Sequence, residues 1–327
     1  MSTLTMPATI PLTADHPAQR LRRIAAAVRV SFTWWGVRRA LTTQQKEEIG
    51  AACDADPKLL SAGKRLLDTR HEAFRQLTAL KGRIVSYWRG ISLPYVEPGI
   101  RLIRQADIDA FVHVLEGCRE ELQQAEANLA VAYEEIKQDA RQRLGRLFNR
   151  GDYPSEIRGL FDVAWEFPNV EPPAYLLRIS PEVYEEERSR LASRFEEAVR
   201  LAEQAFATEL ADLVEHLTER LTTGEDGKRK VFRNSALGNF QEFIQRFQQL
   251  NIGSNAQLDA LVEKAQELLQ GVTPDQVRSL PEVRQQLQSG MAAMSQQLDQ
   301  LLVDAPRRRI IRSQAPSNNG GADATRN

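Results

Sequence analysis

The run His71-Glu72-Ala73-Phe74-Arg75 places a histidine and a glutamate where a zinc-hydrolase helix would begin. That chemistry needs two histidines four apart on one helix face, with the glutamate between them as general base. Arg75 stands where the second ligand belongs, so the run makes no metal site. His16, His113 and His216 lie in unrelated segments, and Cys53 and Cys118 lack metal-ligand spacing. Ala62-Gly63-Lys64-Arg65 matches only the end of a phosphate-binding loop. Position 58 is lysine instead of glycine, Arg65 replaces the hydroxyl that would reach Mg²⁺, and no strand precedes the run. Neighbouring acids such as Glu47-Glu48, Glu120-Glu121, Glu134-Glu135 and Glu185-Glu186-Glu187 fall on periodic helical stretches and read as solvated faces. The residues therefore offer no catalytic constellation, no metal ligand set and no cofactor site, and the expected protein is not an enzyme.

Binding is the chemistry that remains. The stretch Lys81-Gly82-Arg83-Ile84-Val85-Ser86-Tyr87-Trp88-Arg89-Gly90-Ile91-Ser92-Leu93-Pro94-Tyr95 concentrates cations, aromatics, glycine and proline. From Lys64 to Arg104 nine cations face three acids, whereas from Ala106 to Lys137 eight acids face two cations. One reading has the basic helix lie against the acidic one, so that the two neutralise. The other leaves Lys64, Arg65, Arg83, Trp88, Arg89, Arg101 and Arg104 available to a protein partner or a nucleic acid. Lys228-Arg229-Lys230 and Arg307-Arg308-Arg309 would add to the second. Tyr87 and Trp88 point about 100° apart on a helix, so one packs inward and the other is expected near the surface beside Arg83 and Arg89, as a docking point.

The whole chain bounds these readings. It has 327 residues, 42% hydrophobic and 27% charged, with 43 Lys and Arg against 44 Asp and Glu. Bulk attraction to nucleic acid is not implied by that balance. Two cysteines cannot build a disulfide framework, the N-terminus lacks a basic start followed by an apolar run, and no stretch approaches the ~18 apolar residues of a membrane helix. A cytoplasmic protein without membrane contact is expected.

The elements follow from period and punctuation. Residues 1–16 read as a flexible arm and 17–104 as a small α+β head. Within the head, a short basic helix over 17–27 leads into Val28–Trp34, whose alternation is the clearest strand signal. Its expected internal partners are 91–95 or 175–179. Thr42 and Gln45 form a capping box for a helix over 43–53, and a further helix over 69–89 should stop at a left-handed Gly90. Ile108, Phe111, Leu115, Cys118, Leu122, Ala125, Leu129, Ala132 and Ile136 step at 3.5 residues on average, the coiled-coil period, within 105–148. A second stripe, Phe195 to Leu221, steps at about 3.7 within 181–222. Two helices of about 60 Å with one stripe each predict an antiparallel rod, with the proline- and aromatic-rich 149–180 as its tip. Shorter helices over 223–304 and a basic, then disordered, tail over 305–327 complete a mainly α fold: a long helical hairpin with a head, a tip and a C-terminal bundle.

Trp34-Trp35-Gly36, Ser61-Ala62-Gly63-Lys64-Arg65-Leu66-Leu67-Asp68, the helix reaching Lys81-Gly82, and the Leu93-Pro94 turn before a long charged helix carry a resemblance. Over about residues 28–220 the chain resembles a helical domain-of-unknown-function family of phages, plasmids and integrated elements. Its members are encoded beside a MoxR- or CobS-like AAA+ ATPase and a CobT-like von Willebrand A protein. The resemblance implies a non-catalytic component of an ATPase-linked assembly and carries over no active-site residue. The expected function is an elongated scaffold whose partners are other proteins, with self-association along the rod; the alternative is nucleic-acid binding through the basic-aromatic head.

Overall fold

The structure is a computed structural model that describes residues 16–222, 232 and 234–304. The arm before His16, the basic run 228–230 and the tail 305–327 lie outside the described residues. Helix α1 (Pro17–Ile24) runs directly into strand β1 (Ala25–Trp34), and β2 (Arg38–Ala40), α2 (Thr43–Ala52), β3 (Gly63–Arg65) and α3 (Glu72–Gly90) follow. Then come β4 (Ser92–Pro94), β5 (Ile100–Arg104), α4 (Ile108–Leu144), β6 (Phe161–Glu166), α5 (Leu176–Ile179) and α6 (Pro181–Leu221). Helices α7 (Asn234–Leu250), α8 (Ala256–Leu269), α9 (Pro274–Ser279) and α10 (Pro281–Asp304) end the described chain. The protein is mainly helical around a small sheet, and no described helix is long and apolar enough to cross a membrane.

The sheet has the order β4-β5-β1-β6, with every neighbouring pair antiparallel. β1 pairs with β5 over its first half and with β6 over its second; 92–94 joins one strand further out, and 175–179 is helical. Because side chains alternate across a strand, β1 serves two cores. Val28, Val30 and Ile103 of β5 pack with α3 and α4, whereas Ala27, Ile100 and Leu102 pack with α1, α6 and the C-terminal helices. The result is a helix–sheet–helix arrangement with distinct hydrophobic clusters on the two sides.

That arrangement replaces the expected rod. The 37-residue α4 buries its stripe, including Leu115, Leu122 and Leu129, against α3 and β6. The 41-residue α6 buries Phe195, Phe206, Leu210 and Leu217 against α10, α1, α7 and β4. Each helix finds the cover its stripe requires, but not in the other. Residues 149–180 are likewise no tip: β6 lies in the sheet, and Tyr153 and Ile157 are buried beside α4. The physical reason is the alternation Phe161, Val163, Trp165, which gives this segment one apolar face to cover.

Buried polar contacts fix the entry to β6. Glu126 of α4 is buried, and its Oε1 accepts from the amides of Leu160 and Phe161 at 2.9 and 3.0 Å. The Tyr133 hydroxyl donates to the Pro154 carbonyl and that of Tyr153 to the Leu66 carbonyl, each at 2.9 Å. Burial first, then the charge of Glu134, pushes the Tyr133 phenol up to about 12; burial and then Asp152 do the same for Tyr153.

Glu126→Leu should leave two buried amides unpaired and cost about 2–5 kcal/mol in urea unfolding, while Glu126→Gln, which keeps an acceptor, should recover most of the loss. The phenols carry a pH signature as well. The unfolded chain ionises them near pH ~10 and the folded chain only near about 12, so their contribution is complete below ~10 and lost as pH rises through 12. Urea midpoints should fall across that window, and fall less in the Tyr133→Phe/Tyr153→Phe variant.

Candidate partner-binding site

The residues singled out from sequence do not form one surface. Lys64 is only 6% exposed, because alternation along β3 turns it inward while Gly63 and Arg65 face out. Its Nζ donates to the Leu147 carbonyl at 2.6 Å and lies 2.7 Å from Asp152 Oδ2. This contact ties β3 to the segment after α4 and removes Lys64 from any partner surface. Trp88 is also buried, in the α3–α4 cluster, and its neighbour Tyr87 stacks on Phe111 with ring centroids 6.3 Å apart. An exposed aromatic beside arginine is thus absent at this corner.

The arginines of the corner serve the chain itself. Arg83 bridges from α3 to Glu121 of α4 at 2.5 Å, so the basic helix does lie against the acidic one and is partly neutralised by it. Arg104 pairs with Asp107 through bonds of 2.7 and 2.8 Å. Arg101 donates through Nε to Ser92 Oγ at 2.7 Å, and through Nη2 to the carbonyls of Ser92 at 2.6 Å and Arg89 at 3.4 Å. Ser92 Oγ in turn donates to the Trp88 carbonyl. A guanidinium therefore reaches the Arg89 carbonyl in the last turn of α3, where the helix dipole favours positive charge. Burial, and then the charges of Arg89 and Arg246, lower the Arg101 pKa to about 10. This cap and Ile91, the residue that follows α3, end the helix; Gly90 is still helical and has no left-handed φ.

Arg65 and Arg89 stay exposed, and neither is in an ion pair among the described residues. Arg65 belongs to a two-stranded ribbon outside the main sheet. β2 pairs antiparallel with β3 in the register Arg38↔Arg65, Arg39↔Lys64 and Ala40↔Gly63. Amide bonds from Leu66 to the Val37 carbonyl at 2.8 Å and from Leu41 to the Ala62 carbonyl at 3.1 Å extend the pairing at both ends. Arg38 and Arg39 are exposed too. Two arginines in succession are visible in the sequence; their pairing with residues 27 and 25 positions away is not.

Beside the ribbon lies a groove of about 430 Å³, lined by Arg65, Leu67, Asp68, Arg70, Asp139 and Arg143 among others. Its charges are largely matched. Asp68 accepts from the Arg70 side chain at 3.2 Å and from Arg143 at 2.7 Å, and these bonds hold its carboxyl well below the usual carboxylate range. His71 is the cap of α3, its Nδ1 accepting from the Ala73 amide at 3.3 Å, and no cluster able to hold a metal ion occurs among the described residues. The outer edge of β6 is closed in part by Arg119, which donates to the Val163 carbonyl at 3.0 and 2.7 Å and lies 4.4 Å from the Trp165 ring centroid.

No protein-family model matches the chain, and neither a curated protein nor a solved structure does.

Adjacent residues of β3 should respond in opposite ways. Lys64→Met strips the partly buried Asp152 carboxylate and the Leu147 carbonyl of their cation and should cost about 2–3 kcal/mol. Arg65→Gln should leave the urea midpoint in place. Paired unfolding curves check both.

Proposed function

We propose that the chain is a non-catalytic interaction protein, an accessory component of a multiprotein assembly. The observation that supports this reading is a short exposed apolar run. Tyr175, Leu177, Ile179 and Val183 are 54%, 52%, 75% and 43% exposed, from the N-cap of α5 to the first turn of α6. α5 packs on α6, yet these side chains are left in water. Apolar groups gathered in that way mark protein contact sites. Glu185 and Glu187, which come after the run, pair with Arg188 and Arg190, so the fitting partner surface is chiefly apolar.

The resemblance to the mobile-element family suggests the partner's identity: a MoxR- or CobS-like AAA+ ATPase, or the von Willebrand A protein encoded beside it. The reading is tested by mixing the purified chain with each of those host proteins and following co-elution on size exclusion. Wild type should co-elute with one of them. Leu177→Ser/Ile179→Asp should not, with its circular dichroism and melting temperature retained, because both residues are solvent-exposed. Absence of co-elution by wild type removes these partners. A concentration-dependent mass of the isolated chain that disappears in the variant would make the run a self-association surface.

A further inference from the structure

The β2–β3 ribbon sets like charges against each other without compensation. Arg38 lies directly across from Arg65. Opposed cations at that distance destabilise a strand pair. Arg38, Arg39 and Arg65 are exposed, and none is in an ion pair among the described residues. The nearby carboxylates are already engaged: Asp152 by Lys64, Glu48 by Arg146, and Asp68 by Arg70 and Arg143. The charge of the ribbon is therefore left for something outside the chain.

The shape of the ribbon narrows what that is. Leu41, Lys64 and Leu66 are buried, so the opposite face carries Arg38, Ala40, Gly63 and Arg65. Beside its paired cations that face has only the methyl group of Ala40 and the bare backbone of Gly63. A Cβ at Gly63 would lie 3.1 Å from the Arg39 carbonyl oxygen, so the close strand pairing itself favours glycine there. This face holds no large apolar side chain to anchor a protein partner in a desolvated pocket. A phosphate backbone needs only accessible cations. The planar guanidinium binds phosphate through two parallel bonds, and a two-stranded ribbon fits the major groove of a duplex.

We infer that the outer face of the β2–β3 ribbon binds the phosphate backbone of double-stranded nucleic acid, through the paired cations Arg38 and Arg65. This site is distinct from the seven-residue set expected from sequence: it retains Arg65 and adds Arg38, which lies before that set. It is independent of the apolar run on α5.

The test is fluorescence anisotropy with a short labelled DNA duplex of random sequence, over a series of salt concentrations, using the full chain. Wild type should bind, and more weakly as salt rises. Arg38→Gln/Arg65→Gln should bind at least about ten-fold more weakly at low salt, with the slope of log K against log salt reduced by about 1.8, since each phosphate contact contributes about 0.9. Arg38→Glu is the second variant. It places a carboxylate opposite Arg65, so its melting temperature should hold or rise while duplex binding drops, whereas a merely structural Arg38 would lose stability. A wild type that fails to bind the duplex overturns the proposal, as does a variant that binds like wild type. Tighter binding to a single strand of the same length overturns the duplex assignment. Equal binding to polyglutamate that the variants lose assigns the ribbon to an acidic protein and overturns it too.

Discussion

A central strand covered on both faces is the constraint from which the rest of this fold follows. β1 must satisfy two apolar sets on opposite sides, Val28 and Val30 on one and Ala25 and Ala27 on the other. A single helix layer cannot do that, because successive side chains of a strand point apart. The chain therefore supplies α3 and α4 to one face and α1 with α6 to the other. The two longest helices are separated by the sheet, and α6 becomes the spine on which α7 and α10 assemble. There Phe206 meets Phe247 edge-on, with ring centroids 5.0 Å apart.

Where the layers meet, backbone groups that the ladders leave over are taken up by charged side chains. Glu126 receives two amides at the start of β6, Arg119 covers a carbonyl on that strand's outer edge, Arg101 caps the end of α3, and Lys64 receives the Leu147 carbonyl. A buried donor or acceptor without a partner costs more than a made bond returns. These four residues look like candidates for chemistry or recognition in a list of polar side chains, yet each is committed to holding a junction.

That explains which parts of the structure could be read from the sequence. Signals local to one element were legible. The capping boxes at Thr42 and Thr273 form as their spacing requires, the strand at Val28 is present, and the buried stripes of α4 and α6 follow the periods seen in the chain. A stripe says which face of a helix is buried but not what covers it, so two long stripes suggested a hairpin. The missing information lay in two short alternating runs, Ile100–Arg104 and Phe161–Glu166, whose pairing with β1 joins residues up to 137 positions apart. The site was read with the same limitation. Lys64 and Arg65 are neighbours and look alike as charges, but the alternation of β3 sends one into an ion pair and the other into water. Trp88 drew attention as an aromatic beside arginine, although the same helix period that exposes Arg89 buries it.

The inward half of the ribbon also bears on its outward half. Lys64 anchors β3 through Asp152 and Leu147, and the Tyr153 hydroxyl fixes the Leu66 carbonyl one strand end away. The backbone that carries Arg65 is thereby held, so a ligand would have to order little more than the arginine side chains themselves, and less binding free energy is lost to ordering. An exposed arginine on a loose loop would lack that advantage. The apolar run lies on α5 and the start of α6, and α6 packs in the cluster on the other side of the sheet. The ribbon, whose following residues Leu66 and Leu67 pack in the α3–α4 cluster, lies on the opposite side of the main sheet from that run, so occupation of one proposed surface does not require displacement of the other. On the two proposals, the doubly buried β1 between the layers would keep the binding surfaces at a fixed separation.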